Sequence, residues 1–215
     1  MKFVAMKRLA LSACALALLS GALTACVPLV LGAAAGGSLV ATDRRTSGAQ
    51  LEDEGIELRG VSRISTNLGD RVHVNLTSFN RQVLLTGEVP SLQDKQLVEQ
   101  VVSRVENVSS VVNELAVKGN STLAQRSSDA LVTGRVKAAM VDAPDLFANS
   151  FKVVTESGTT YLMGRVTQRE ADRGTEVVRA TSGVQKVVRI LEIISEEELK
   201  RLLPPAPRPL PATTR

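Results

Sequence analysis

The chain has 215 residues, with 26 Lys and Arg against 22 Asp and Glu, one His and two Cys. The formal charge of +4 is misleading, because Lys2, Lys7 and Arg8 belong to an N-terminal export signal and without them 23 basic residues face 22 acidic ones. A chain so nearly neutral gives no case for a nucleic-acid partner, and with no second His and no free Cys neither a His/Cys zinc site nor a Cys/His pair can be assembled, so no metal or cofactor is expected.

The opening "MKFVAMKRLALSACALALLSGALTAC" has a positive start, a short apolar run and small residues leading to Cys26. Residues 1–25 therefore read as a secretory signal, too short to span a membrane. "LTAC", ending at Cys26, matches a bacterial lipobox. The implied chemistry is transfer of a diacylglyceryl group to the Cys26 thiol, cleavage before it and acylation of the new amine. Cys14 leaves with the signal, so lipidation caps the one thiol that an oxidising compartment would attack. By resemblance to bacterial lipoproteins, Val27 in the next position directs the product to the outer membrane. Residues 26–46 are Gly/Ala-rich and shorter than the roughly 18 apolar residues of a span, and they read as a tether.

Two copies of one pattern follow. "VNLTSFNRQVLLTGEV" from Val74 resembles "FKVVTESGTTYLMGRV" from Phe151, with Gly87 matching Gly164. Val72, Val74 and Leu76 alternate with polar residues, as do Val83, Leu85 and Val89, which is the pattern of half-buried strands. Asn80-Arg81 and Ser157-Gly158 supply the turns. Each hairpin is followed by a capping-box signature, Ser91 to Asp94 and Thr167 to Glu170, then by a helical stripe and a β-branched run. Each is preceded by a helix. The first begins near Gln50, with acids in its opening turn. The fold class is α+β: two tandem units, residues 47–119 and 127–195, each α-β-β-α-β with helices on one face of a three-stranded sheet. Residues 120–126 form a linker. Residues 196–215, ending "LPPAPRPLPATTR", read as an extended, disordered tail.

The stretch "SSDALVTGRVKAAMV" lacks an ordinary polar face. At about 100° per residue, Val132, Val136, Ala139 and Met140 form a core stripe. Leu131, Ala138 and Val141 form a second apolar strip, flanked by Arg135 and Lys137. An apolar strip edged by cations is the pattern of an interfacial helix; packing of this strip against the first unit is the other reading. Phe147 stands ready as a further anchor. Charge separates the units: residues 50–119 carry 7 basic and 10 acidic groups, residues 127–195 carry 9 and 8. An anionic surface repels the first and tolerates the second.

The lipobox, the duplication, "VLLTGEVP" from Val83 and "VTESGTTYLMGRVTQREA" from Val154 together resemble the dual BON-domain outer-membrane lipoproteins. That resemblance implies a protein facing the periplasm and supporting outer-membrane integrity at the division site. It implies binding of anionic phospholipid (phosphatidylglycerol, cardiolipin) by the first helix of the second unit, through Leu131, Arg135, Val136, Lys137 and Val141. The bulky aromatic of the family at the start of this helix is Leu131 here, which implies shallower insertion. The alternative is a lipid-tethered adaptor for an envelope protein, such as one of outer-membrane assembly, or for peptidoglycan. His73, in a strand, reads as structural, and no catalytic set can be assembled.

Overall fold

A computed structural model describes residues 43–202. The signal, Cys26, residues 26–42 of the tether and the tail from residue 203 lie outside the described residues.

The first unit runs α1 (Ser47–Leu68), β1 (His73–Phe79), β2 (Gln82–Val89), α2 (Leu92–Ser103), β3 (Ser110–Asn113) and β4 (Ala116–Val117). The second runs α3 (Leu123–Asp142), β5 (Phe151–Glu156), β6 (Thr159–Thr167), α4 (Gln168–Ala180) and β7 (Lys186–Ile194), followed by α5 (Glu196–Leu202). In each unit a hairpin is extended by a parallel strand that returns through the second helix. β2 pairs antiparallel with β1 and parallel with β3 and β4; β6 pairs antiparallel with β5 and parallel with β7. The third strand of the first unit is thus one line broken into β3 and β4.

Local chemistry fixes these elements. Phe79 pairs with Gln82 across a two-residue loop whose Asn80 and Arg81 have φ of 50° and 66°, the left-handed pair that a tight hairpin demands. Thr122 caps α3 with a full box, its hydroxyl accepting from Gln125 N and the Gln125 side chain accepting from Thr122 N. The helix therefore starts at Leu123, four residues before the expected Ser127, and most of the expected linker is helical. α1 starts at Ser47, capped by Thr46. This moves Glu52, Asp53 and Glu54 out of the first turn expected for them. Ser91 caps α2, but Asp94 accepts from the Ser91 hydroxyl and pairs with Arg71 instead of reaching back to a backbone amide. Residues 196–202, expected as tail, form α5, seated by Leu199 and by Arg165 on Glu198.

The two glycines occupy equivalent places in β2 and β6, opposite Val74 and Phe151. A Cβ at Gly87 would lie 2.1 Å from the His73 carbonyl oxygen, and one at Gly164 2.5 Å from that of Ser150. The close approach is from the backbone at or beside the start of the paired strand.

Each unit has its own core between helices and sheet. Ile56, Val83, Leu85, Val98 and Val102 centre the first, and Val136, Met140, Leu162, Val166 and Val178 the second. A third cluster of Phe79, Leu84, Tyr161, Met163 and Ile190 joins the open faces of the two sheets. The order through the molecule is helices, sheet, sheet, helices. This explains why β2 is buried along seven of its eight residues, Thr86 and Glu88 included, where alternation alone predicts one wet face. Burial in this junction pushes the Tyr161 phenol up to about 12.

Candidate membrane-binding site

α3 covers the outer face of the second sheet. Val132, Val136 and Met140 are 5%, 0% and 1% exposed, in contact with that sheet. Spaced four residues apart, they share one side of the helix. The opposite side keeps Leu131 63% and Val141 69% exposed. Ala138 lies between them and is exposed too. The early helix start adds Leu123, 78% exposed, two turns before Leu131 on the same side. Arg135 and Lys137 are exposed and have no ion-pair partner among the described residues.

Val136 requires a correction. The resemblance placed it among the lipid contacts, yet it is fully buried against the sheet. Its angle on the helix puts it in the core stripe, and no surface ligand touches it in this conformation. The first unit does not cover the strip either: it packs on the far side of the second sheet, through Leu84 and Phe79.

The N-terminal segment reaches this part of the molecule. Arg44, expected within a free tether, makes a bidentate pair with Glu170 at 2.6 and 2.8 Å and donates to the Arg165 carbonyl at 2.9 Å. Both side chains are buried. The Arg44 guanidinium also lies 6.0 Å from the Phe147 ring centroid, and Phe147 is 43% exposed. Arg45 turns the other way, to Asp53 and the face of Phe79 in the first unit. Beside them is a cleft of about 660 Å³ bordered by Asp43, Arg45, Phe79, Lys137, Val141 and Lys152. The chain thus leads toward Cys26 from a point next to the C-terminal end of the α3 strip.

Two further residues escaped the sequence reading. Asp53 in α1 accepts from the amides of Asn80 and Arg81 and from the Ser78 hydroxyl. Asp129 in α3 accepts from the amides of Ser157 and Gly158. Each buried aspartate braces the hairpin turn of its own unit. Their separation nearly equals that of Gly87 and Gly164, and this was the available signal. They orient each first helix on its sheet, which is how α3 comes to hold Val136 inward and Leu131 outward.

Comparison with known proteins agrees with this architecture. Residues 58–119 and 128–194 each match the BON domain. The chain is 35% identical over 184 residues to the outer membrane lipoprotein DolP of Haemophilus influenzae, covering 83% of this chain and 95% of that one. It is 28% identical over 154 residues to a 21 kDa hemolysin of Actinobacillus pleuropneumoniae, covering 71% and 79%. Among solved structures, CdsD, a structural protein of the type III secretion system of Chlamydia trachomatis, aligns at 16% identity and a TM-score of 0.29, over 66% of this chain and 96% of that one. The chain belongs to the BON domain family, as an outer-membrane lipoprotein whose two BON units face the periplasm.

Proposed function

We propose that this lipoprotein, which works in envelope integrity, is lipidated at Cys26 and binds anionic phospholipid, phosphatidylglycerol or cardiolipin, through the outer strip of α3. Leu131, Ala138 and Val141 enter the acyl boundary, and Arg135 and Lys137 hold phosphates. The observation that carries this reading is the uncovered apolar strip, flanked by two cations that have no partner among the described residues. An interfacial helix is stabilised by the same combination of buried apolar area and attraction to anionic lipid. No helix among the described residues is long and apolar enough to cross a membrane, so α3 lies on the surface. The nearby exit of the N-terminal segment supports the same orientation. Concentration of anionic lipid at the division site would place the protein there.

Flotation of the soluble chain lacking its lipid tests the proposal. Wild type should float with phosphatidylglycerol vesicles and not with phosphatidylcholine. Leu131→Glu and Val141→Glu should remain in the bottom fraction while keeping the wild-type circular dichroism. Glu variants that float like wild type would leave the adaptor reading, in which the strip receives a protein.

A further inference from the structure

One end of the junction between the sheets holds more negative charge than it neutralises. His73 and Glu88 are cross-strand partners on the face of the first sheet that meets the second unit, with Nδ1 and Oε2 2.9 Å apart. Glu156 comes to the same place at the end of β5, where Asn75 Nδ2 donates to its Oε2 at 2.7 Å. The ligand atoms of His73, Glu88 and Glu156 all lie within 4.8 Å of one another. Glu88 is fully buried and Glu156 is 8% exposed. Asp129 adjoins them through the Ser157–Gly158 turn. Against these three carboxylates stands the Lys118 ammonium, 3.7 Å from Glu88. Three carboxylates thus face one ammonium, and a buried surplus of charge is costly.

A second observation is independent of the charge. Thr86 lies two residues before Glu88, on the same face of β2, directly opposite Asn75. It is 1% exposed, and its Oγ1 has no hydrogen-bond partner among the described residues. Buried hydroxyls are almost always paired, and this one shares its strand face with Glu88 and Asn75, so a water held at the cluster would complete it.

We propose that His73, Glu88 and Glu156 bind one divalent cation between the two BON units, with the Thr86 hydroxyl bonded to a water on that ion. An imidazole nitrogen with two carboxylate oxygens suits Zn²⁺ better than Mg²⁺ or Ca²⁺, which prefer all-oxygen shells. Bonds of about 2.0–2.2 Å set tetrahedral ligand atoms about 3.3–3.6 Å apart, so the His73–Glu88 pair at 2.9 Å opens slightly and Glu156 draws in. The outer contacts are in place: Asn75 orients Glu156, and Ser121 N donates to Glu88 Oε2 at 3.1 Å. Two positive charges cancel the surplus, and the ion ties β1 and β2 of one unit to β5 of the other. The sequence points away from zinc because it offers a single His; the remaining ligands are carboxylates brought together by the sheet-to-sheet junction.

The test is calorimetric titration of Zn²⁺ into the untagged full chain in detergent after dialysis against a chelator, with Co²⁺ absorption as a second readout. The wild type should bind one ion per chain and unfold at a higher temperature with it. Glu156→Gln, which keeps the shape and an acceptor for Asn75, and His73→Asn should each weaken binding by about tenfold or more. His73→Asn should also change the Co²⁺ spectrum, since this chain has no other imidazole. Lys118→Met should tighten binding by removing the competing ammonium. No uptake by the wild type, or equal uptake by wild type, Glu156→Gln and His73→Asn, would overturn the site.

Discussion

The first helices of the two units have the same place on their sheets, the same bracing aspartate and an exposed apolar strip, yet opposite electrostatics. On α1 the strip is Leu51, Leu58 and Val61, at 71%, 75% and 51% exposure. Glu54 lies within it by helical angle and is itself exposed. On α3 the corresponding surface holds Leu131, Ala138 and Val141 with no acid inside the strip; Arg135 and Lys137 stand at its edges, and the exposed Asp142 lies on Leu131's side at the last residue of the helix. Apolar exposure alone therefore does not distinguish a membrane helix here. The sign of the charge inside and beside the strip does, and a few side chains on a common scaffold set it.

The second helices differ in a parallel way. Ser91 and Asp94 open α2, and Thr167 and Glu170 open α4. Asp94 meets Arg71, whose side chain is 54% exposed, whereas Glu170 meets Arg44 in full burial. Breaking a buried pair strands a charge, so Glu170→Ala should cost about 3–5 kcal/mol. Asp94→Ala should cost about 1 kcal/mol or less. Urea midpoints of the two variants check this, and equal losses would break the comparison. The pH dependence sharpens it. Burial pushes the Glu170 carboxyl up, but Arg44 and the Thr167 amide outweigh burial and hold it below its ordinary 4.5. Its stabilisation is then complete above about 4.5 and is lost as pH falls through the lower folded value. The gap in urea midpoint between wild type and Glu170→Gln should be constant near neutrality and close below about pH 4.5.

The membrane predictions are smaller in energy. Arg135→Ala with Lys137→Ala should weaken vesicle binding by about tenfold or more, from roughly 1 kcal/mol per cation near an anionic surface, and should flatten its salt dependence. Glu54→Lys should give α1 a weak affinity for phosphatidylglycerol vesicles, read in a chain whose α3 carries Val141→Glu. If that chain stays inert, the charge inside the strip is not what separates the helices.

What the sequence showed was local. The hairpin turns at Asn80 and Ser157, the caps at Ser91 and Thr167, the repeat through Gly87 and Gly164, and the stripe of Val132 and Met140 all follow from neighbours within a turn or two. The junction of the sheets was not legible, because it buries Thr86, Glu88 and Glu156 on faces that alternation marks as wet. Arg44 and Glu170 are 126 residues apart, and no periodicity links them. Val136 fell inside the core stripe on the wheel, and the resemblance, not its helical angle, had set it among the lipid contacts; its full burial agrees with the wheel. The α3 start was missed because Thr122 and Gln125 form a capping box inside a stretch that reads as linker.

The most direct test of the central claim compares the two helices in one chain. An environment-sensitive fluorophore is attached to a cysteine replacing Ala138 on α3, or in a separate sample Val61 on α1, with Cys26 replaced to leave a single thiol. On titration with phosphatidylglycerol vesicles, the probe at 138 should shift to shorter wavelength, with the shift reversed by salt, while the probe at 61 stays at its aqueous emission. A shift at 61 with none at 138 would contradict the account, as would no shift at either position.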